Sequence, residues 1–236
     1  MAGGCFEPIA HGLSRGIELW RADLDAYPAV GLSDGLSADE VARAARQALD
    51  HDGRRLLAAR HALRTILARA TGRAAGGLVF EVDEFGKPRL PDNEGLAFNL
   101  SHSRQECLIA TSAGWPIGVD VEVVHPVADA SALARLHFTI DEQAELEAAA
   151  DRDRAFLACW TRKEACVKAL GIGLSAEPAL IETGSREDCR DVSVTIGHVR
   201  AEVVVSSVVM PSSSVAAVAV TDPQSAAAAR RHFARR

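Results

Sequence analysis

The chain reads as an α+β protein on three observations: helical apolar periods near residues 38–49, 54–70 and from 151 onward, strand-like alternation between them, and a C-terminal run of strands patterned as an antiparallel sheet. Its 236 residues, 48% hydrophobic, can bury a sizeable core in one large or two small domains. No stretch reaches the ~18 apolar residues that a membrane span needs. The N-terminal MAGGCFEPIA lacks the charged start and apolar run of a signal peptide, so a cytoplasmic protein without a membrane partner is expected. The five cysteines, Cys5, Cys107, Cys159, Cys166 and Cys189, are odd in number and form no C-x-x-C, which suggests neither a disulfide framework nor a zinc ribbon. Cys159 and Cys166 are expected as small core residues.

A net charge of −6 argues against a general nucleic-acid binder. The basic residues are concentrated instead: Arg43, Arg46, Arg54, Arg55, Arg60, Arg64, Arg69 and Arg73 face only Asp50 and Asp52 in the same segment. Such a segment in an acidic chain suggests a local polyanion. Neither H-E-x-x-H nor G-x-x-x-x-G-K-[ST] is present, which lowers the case for zinc hydrolysis and Walker-type nucleotide chemistry.

Taken in order, Ile17 to Leu24 alternates as a strand that buries one face. Ser33 lies in GLSDG, a formal match to the G-x-S-x-G of serine hydrolases, but a proline precedes it and the capping box Ser37 to Glu40 opens the next helix only later. The first helix is expected over Ala38 to Leu49. The second, Arg54 to Ala70, is closed by Thr71-Gly72 and carries an apolar line of Leu56, Leu63 and Leu67 interrupted by Arg60. An arginine in that line either snorkels or meets an anion, and Arg60 and Arg55 are candidates for phosphate contact. Strands are expected at Leu78 to Val82, Leu96 to Leu100 and Cys107 to Thr111, with Gly86-Lys87-Pro88 and Ser101-His102-Ser103 as turns. His102 is either a turn histidine or an imidazole donor to a bound anion.

Ile117 to Val124, IGVDVEVV, is a buried-type strand with two carboxylates. Asp120 and Glu122 share a face about 6.5 to 7 Å apart, while Val119, Val121 and Val123 point to the other. Either a solvated sheet face or a shared cation accounts for the pair, and Gly118 permits close backbone approach. Beyond a Pro-containing loop at His125 to Ala130 come a short helix near Ser131 to Leu136 and a helix opened by the capping box Thr139 to Glu142. Asp151 starts a further helix, ended by Gly171 and Gly173, whose core is AFLACWTRKEACVKALGIGL from Ala155 to Leu174. There Leu157, Trp160, Glu164, Val167 and Lys168 share one side with Lys163 on the flank, so charges interrupt the apolar stripe. The pair Glu164 to Lys168 at i,i+4 is one explanation. A reactive role is the other: lysine occurs only at Lys87, Lys163 and Lys168 in a chain that otherwise uses arginine, and a compact, titratable ammonium does what guanidinium does poorly. Glu164 also offers Asp120 and Glu122 a third hard oxygen donor, a set suited to Mg²⁺. Strands at Val192 to Ile196, Arg200 to Val205 and Val215 to Val220, then a short helix from Ser225, complete the chain.

GKPRL, FNLSHS, GVDVE, FTIDE and WTRKEACVK, in this order and at these separations, resemble the 4'-phosphopantetheinyl transferases that activate carrier proteins, specifically the long, monomeric type. The resemblance covers Leu78 to Leu174. It implies two similar α+β halves, each a long helix on a small antiparallel sheet, with the active site in the cleft between them; here these are residues 1–115 and 116–236. It further implies that Asp120, Glu122 and Glu164 hold Mg²⁺, or Mn²⁺, on the pyrophosphate of coenzyme A. Lys168 would assist departure of adenosine 3',5'-bisphosphate, Lys163 would contact the phosphates, and Glu164 would take the proton from a serine of an apo acyl or peptidyl carrier. Lys87, Ser101 and His102 would grip the 3'-phosphate end with Gly86 near the base, and Glu142 matches an acidic family position. The catalytic set is thus Glu164, Lys168 and Asp120, in a monomer serving a fatty-acid, polyketide or nonribosomal-peptide carrier. The competing expectations are a binding module for coenzyme A or a carrier without catalysis, and a hydrolase through Ser33.

Overall fold

Two four-stranded antiparallel sheets, each carrying one long helix, account for most of the computed structural model, which describes residues 5–13, 16–91, 95–173 and 177–233. Leu174 therefore lies outside the described residues. The first sheet has the order β1-β2-β6-β5, from β1 (Phe6–Pro8), β2 (Ile17–Asp23), β5 (Leu96–Ser103) and β6 (Glu106–Ala113). β3 (Glu81–Val82) and β4 (Pro88–Arg89) form a separate two-stranded hairpin. The second sheet has the order β7-β10-β9-β8, from β7 (Ile117–Val123), β8 (Cys189–Ile196), β9 (Val199–Val208) and β10 (Ser214–Thr221). The α+β class with antiparallel sheets is as expected.

On the first sheet lies α2 (Asp50–Thr71), whose Ala59, Ala62, Leu63, Ile66 and Leu67 repeat at helical spacing and pack on Phe98, Cys107 and Ile109. Gly72 ends it in the left-handed conformation, φ 69°. α1 (Ala38–Ala45) has the expected capping box but stops short of Leu49, because α2 begins at Asp50 and its Gly53 is pressed on the end of α1: a Cβ there would lie 2.7 Å from the Ala44 carbonyl oxygen. Ser33 is exposed in a turn between Gly31 and Gly35, both with positive φ, and no strand–helix elbow presents it as a nucleophile.

On the second sheet lies α5 (Arg152–Leu170), N-capped by Asp151 and closed by Gly171 at φ 69°. α3 (Ala130–His137) and α4 (Ile140–Ala148), with its capping box formed, pack beside it, and α6 (Pro223–Phe233) ends the described chain. The helix rides directly on β7 and β10 through small residues: Ala165 and Ala169 meet Ala217 and Ala219. A Cβ at Gly118 would stand 2.1 Å from the Ala165 carbonyl oxygen and 2.4 Å from the Ala169 nitrogen, so only glycine admits the helix there. The opposite face of β7 and β10 (Val119, Val121, Val218, Val220) shares a core with Leu19, Leu108 and Ala110 of the first sheet.

Two further local expectations need correction. The strand expected at Leu78 to Val82 is confined to Glu81–Val82. Ser101 to Ser103 is not a turn: β5 runs through it, and the hairpin turns at Arg104-Gln105, where Arg104 has φ 51°. All five cysteines are unbridged, with Cys107, Cys159 and Cys166 buried. Among the described residues no helix is long and apolar enough to cross a membrane.

Candidate active site

The crossing of α5 over β7 at Gly118 fixes what meets above it. Strand alternation puts Asp120 and Glu122 on the helix-facing side, and the helix turns Glu164 and Lys168 toward the same place. Asp120, only 4% exposed, accepts from the Lys168 ammonium at 2.6 Å and the Ser101 hydroxyl at 2.7 Å, both through Oδ1. Its Oδ2 is buried with no partner among the described residues. Glu122 accepts from the Ser103 hydroxyl at 2.6 Å. Burial pushes its carboxyl above the usual range, Ser103 opposes, and the Asp120 charge adds to the rise.

Glu164 is half-buried, and among the described residues no hydrogen bond or ion pair engages its carboxylate. Burial pushes its pKa up, Lys168 opposes, and Asp120 and Glu122 both raise it further, so the three carboxylates sense one another electrostatically. No three acidic, histidine or cysteine side chains stand at metal-ligating spacing among the described residues. Asp120 is paired with the Lys168 ammonium and Glu122 with the Ser103 hydroxyl. The donor set nevertheless fits a small divalent cation. It consists of carboxylate oxygens alone, one of them a buried Oδ2 that lacks any donor among the described residues.

A cavity of about 480 Å³ opens beside these groups, walled by Phe85, Gly86, Lys87, Leu100, His137, Trp160, Glu164, Val167, Lys168 and Pro178. Its β3–β4 wall is built around Asp83, whose Oδ1 accepts from the Phe85 and Lys87 nitrogens at 3.0 and 2.8 Å, with Gly86 at φ 85° between them. The Lys87 ammonium then donates to the carbonyls of Ile117 at 2.7 Å and Lys168 at 2.6 Å. Burial, then the neighbouring Arg230 charge, lowers its pKa to about 8.

A second hollow, about 310 Å³, is lined by Gln47, Asp52, Arg55, Leu56, His102 and Arg104. His102 sits exposed on β5, its pKa lowered by partial desolvation and by the charges of Arg60 and Lys168. Arg60 is half-buried with no bonded partner among the described residues, and desolvation pulls its pKa down while Glu40 opposes. Arg55 instead makes a two-pronged pair with Asp25, at 2.8 and 2.6 Å, and reaches the hollow already committed.

Lys163 is not in the cavity wall, and the expectation that it contacts phosphates is corrected. At 1% exposure it pairs with Glu142 at 2.6 Å and donates to the carbonyls of Pro178 (2.8 Å) and Ile181, so its three protons are in use. Glu142 is equally occupied: it also accepts from the Thr139 nitrogen at 2.9 Å and the Thr183 and Gly184 nitrogens at 2.8 and 3.0 Å. The residues that sequence reasoning passed over are Asn99 and Ser103, which alternate with Ser101 on β5 and bond β7. Reading β5 as running through Ser103 would have placed all three on one face.

The model of the 4'-phosphopantetheinyl transferase superfamily matches residues 116–219, the span that holds Asp120, Glu122, Glu164 and Lys168. The chain is similar to the 4'-phosphopantetheinyl transferase HetI of Nostoc sp., 37% identical over 190 residues, covering 72% of this chain and 80% of that protein. A 4'-phosphopantetheinyl transferase of Bacillus subtilis is 32% identical over 142 residues, 59% of this chain and 62% of its own length. AcpT of Salmonella typhimurium is 40% identical over 90 residues, 37% and 47% of the two chains. With four-fifths of a relative's length matched and the acidic and basic side chains gathered where α5 crosses β7, the chain belongs to the 4'-phosphopantetheinyl transferase superfamily.

Proposed function

We propose that the chain transfers the 4'-phosphopantetheine arm of coenzyme A to a serine of an apo carrier protein, releasing adenosine 3',5'-bisphosphate. The observation that carries this reading is Asp120: one oxygen is held by Lys168 and Ser101, and the other is buried without a donor beside an unengaged Glu164. Asp120, Glu122 and Glu164 would hold Mg²⁺, or Mn²⁺, which when bound supplies positive charge to the pyrophosphate. The carrier serine oxygen forms a bond to the β-phosphorus as the bond from that phosphorus to the bridging oxygen breaks, and the electron pair leaves with the nucleotide bisphosphate. Glu164 takes the serine proton, and burial that raises its pKa makes it a better base than an exposed carboxylate. Lys168, at the cavity wall, gives its charge to the departing phosphate.

In this reading the two sheet-and-helix units are the two halves, 1–115 and 116–236, and coenzyme A lies between them. The 3'-phosphate end goes toward His102 and the unpartnered Arg60, with Gly86 near the base and the pantetheine arm along the apolar cavity wall. Lys87 and Ser101, expected at the 3'-phosphate end, are engaged elsewhere: Lys87 acts from behind, fixing the carbonyls of Lys168 and Ile117, and Ser101 donates to Asp120. The carrier would approach over α3 and the start of α4, where Leu133, Leu136 and Ile140 are exposed large apolar residues, with exposed Leu180 of the short Pro178–Leu180 turn packed beside α3, near His137 and Pro178 of the cavity. We take the active form to be a cytoplasmic monomer. The test is incubation with coenzyme A, Mg²⁺ and a panel of apo carriers, followed by mass spectrometry. A carrier heavier by one phosphopantetheine is expected; no gain on any carrier, with coenzyme A still bound, would convert the reading to a binding module.

A further inference from the structure

β5 is the edge of the first sheet and β7 the edge of the second, and they lie side by side without belonging to one ladder. Side chains of β5 make the junction. Asn99 Oδ1 accepts the Val119 N–H at 2.8 Å, Ser101 Oγ donates to Asp120 at 2.7 Å, and Ser103 Oγ accepts the Val123 N–H at 3.2 Å while donating to Glu122 Oε2 at 2.6 Å. These are alternate residues of one strand, so they share a face. Ser103 differs from its two neighbours because its one hydroxyl does both jobs. Accepting a backbone N–H fixes the oxygen, and its proton is then aimed at the Glu122 carboxylate, tying that flexible side chain to its own strand.

We propose that Ser103 is a positioning residue that sets the orientation in which Glu122 meets the divalent cation. The proposal rests on the cation reading above. Groups that orient metal-bound carboxylates typically matter about 10- to 100-fold in metal affinity.

Mn²⁺ binding followed by electron paramagnetic resonance tests it without reliance on turnover. Ser103→Ala should weaken Mn²⁺ binding about 10-fold or more, while Ser103→Thr, which keeps the hydroxyl, should bind as the wild type does. In a Glu122→Gln background, Ser103→Ala should add no further loss, because its effect passes through that carboxylate. A purely structural role would lower the melting temperature of Ser103→Ala and leave Mn²⁺ affinity alone, and that result overturns the proposal, as does full additivity with Glu122→Gln. If Ser103→Ala does not fold, Ser103→Cys, close in shape but a weak donor, carries the same comparison. Wild-type protein that binds no Mn²⁺ would sink the cation reading itself; equal binding by wild type and variant sinks only the role of Ser103.

Discussion

Lys163 and Lys168 stand on the same helix, and each holds a carboxylate at 2.6 Å, yet the surroundings of the two pairs differ. The Lys163–Glu142 pair is 1% exposed on both sides and saturated by backbone groups of residues 139, 178, 181, 183 and 184. The Lys168–Asp120 pair is 29% and 6% exposed, opens on a cavity, and leaves Asp120 Oδ2 with nothing. A closed pair is a fastener, whereas an incomplete one is a site, because its unmet bonds are available to a ligand.

Breaking the open pair should have the largest functional effect. Asp120→Ala or Lys168→Ala is expected to cut carrier labelling at least about 10²- to 10³-fold, with circular dichroism still reporting the folded chain. Full activity in either would remove the contrast. Breaking the closed pair should act on stability instead: Glu142→Gln strands a buried ammonium and should cost about 3–5 kcal/mol in denaturant melts, with labelling by the surviving folded fraction near normal.

The acid limb sharpens the same point. Burial pushes Glu142 up, but Lys163 and the backbone N–H groups of Thr139 and Thr183 outweigh it and hold its pKa below the ordinary 4.5. Its contribution is therefore complete above pH 4.5 and lost as pH falls through the depressed value. Stability measured against pH in that window should slope less in Glu142→Gln. Replacing both partners, Glu142→Met with Lys163→Met, removes the charges but leaves the Thr139, Thr183 and Gly184 N–H groups and the Pro178 and Ile181 carbonyls without their partners, so it should stay destabilised by several times about 1–3 kcal/mol. The smallest effect is expected at Ser33→Ala, exposed in its turn, where labelling should not change.

The sequence made α5 legible because its caps and periodicity are local: Asp151, Gly171 and the charges inside an apolar stripe are neighbours along the chain. The alternation that puts Asp120 and Glu122 on one face was legible for the same reason. The fate of Lys163 was not, since the carbonyls that claim it come from residues 178 and 181, beyond the end of the helix. Nor was the end of β5, where polar Ser101 and Ser103 look like turn residues until β7 is seen across from them. Arg55 and Arg60 were indistinguishable by composition; Asp25, from a distant segment, separates them.

The ammonium of Lys87 binds a carbonyl at the first residue of β7 and another near the last turn of α5, though the hairpin bearing it precedes both units' junction in the chain. Together with the Asn99 and Ser103 contacts, this makes residues before Trp115 part of the scaffold of residues after it. Chain severed at Trp115 should consequently yield two fragments that mature only on reassociation, each lacking the fasteners the other supplies.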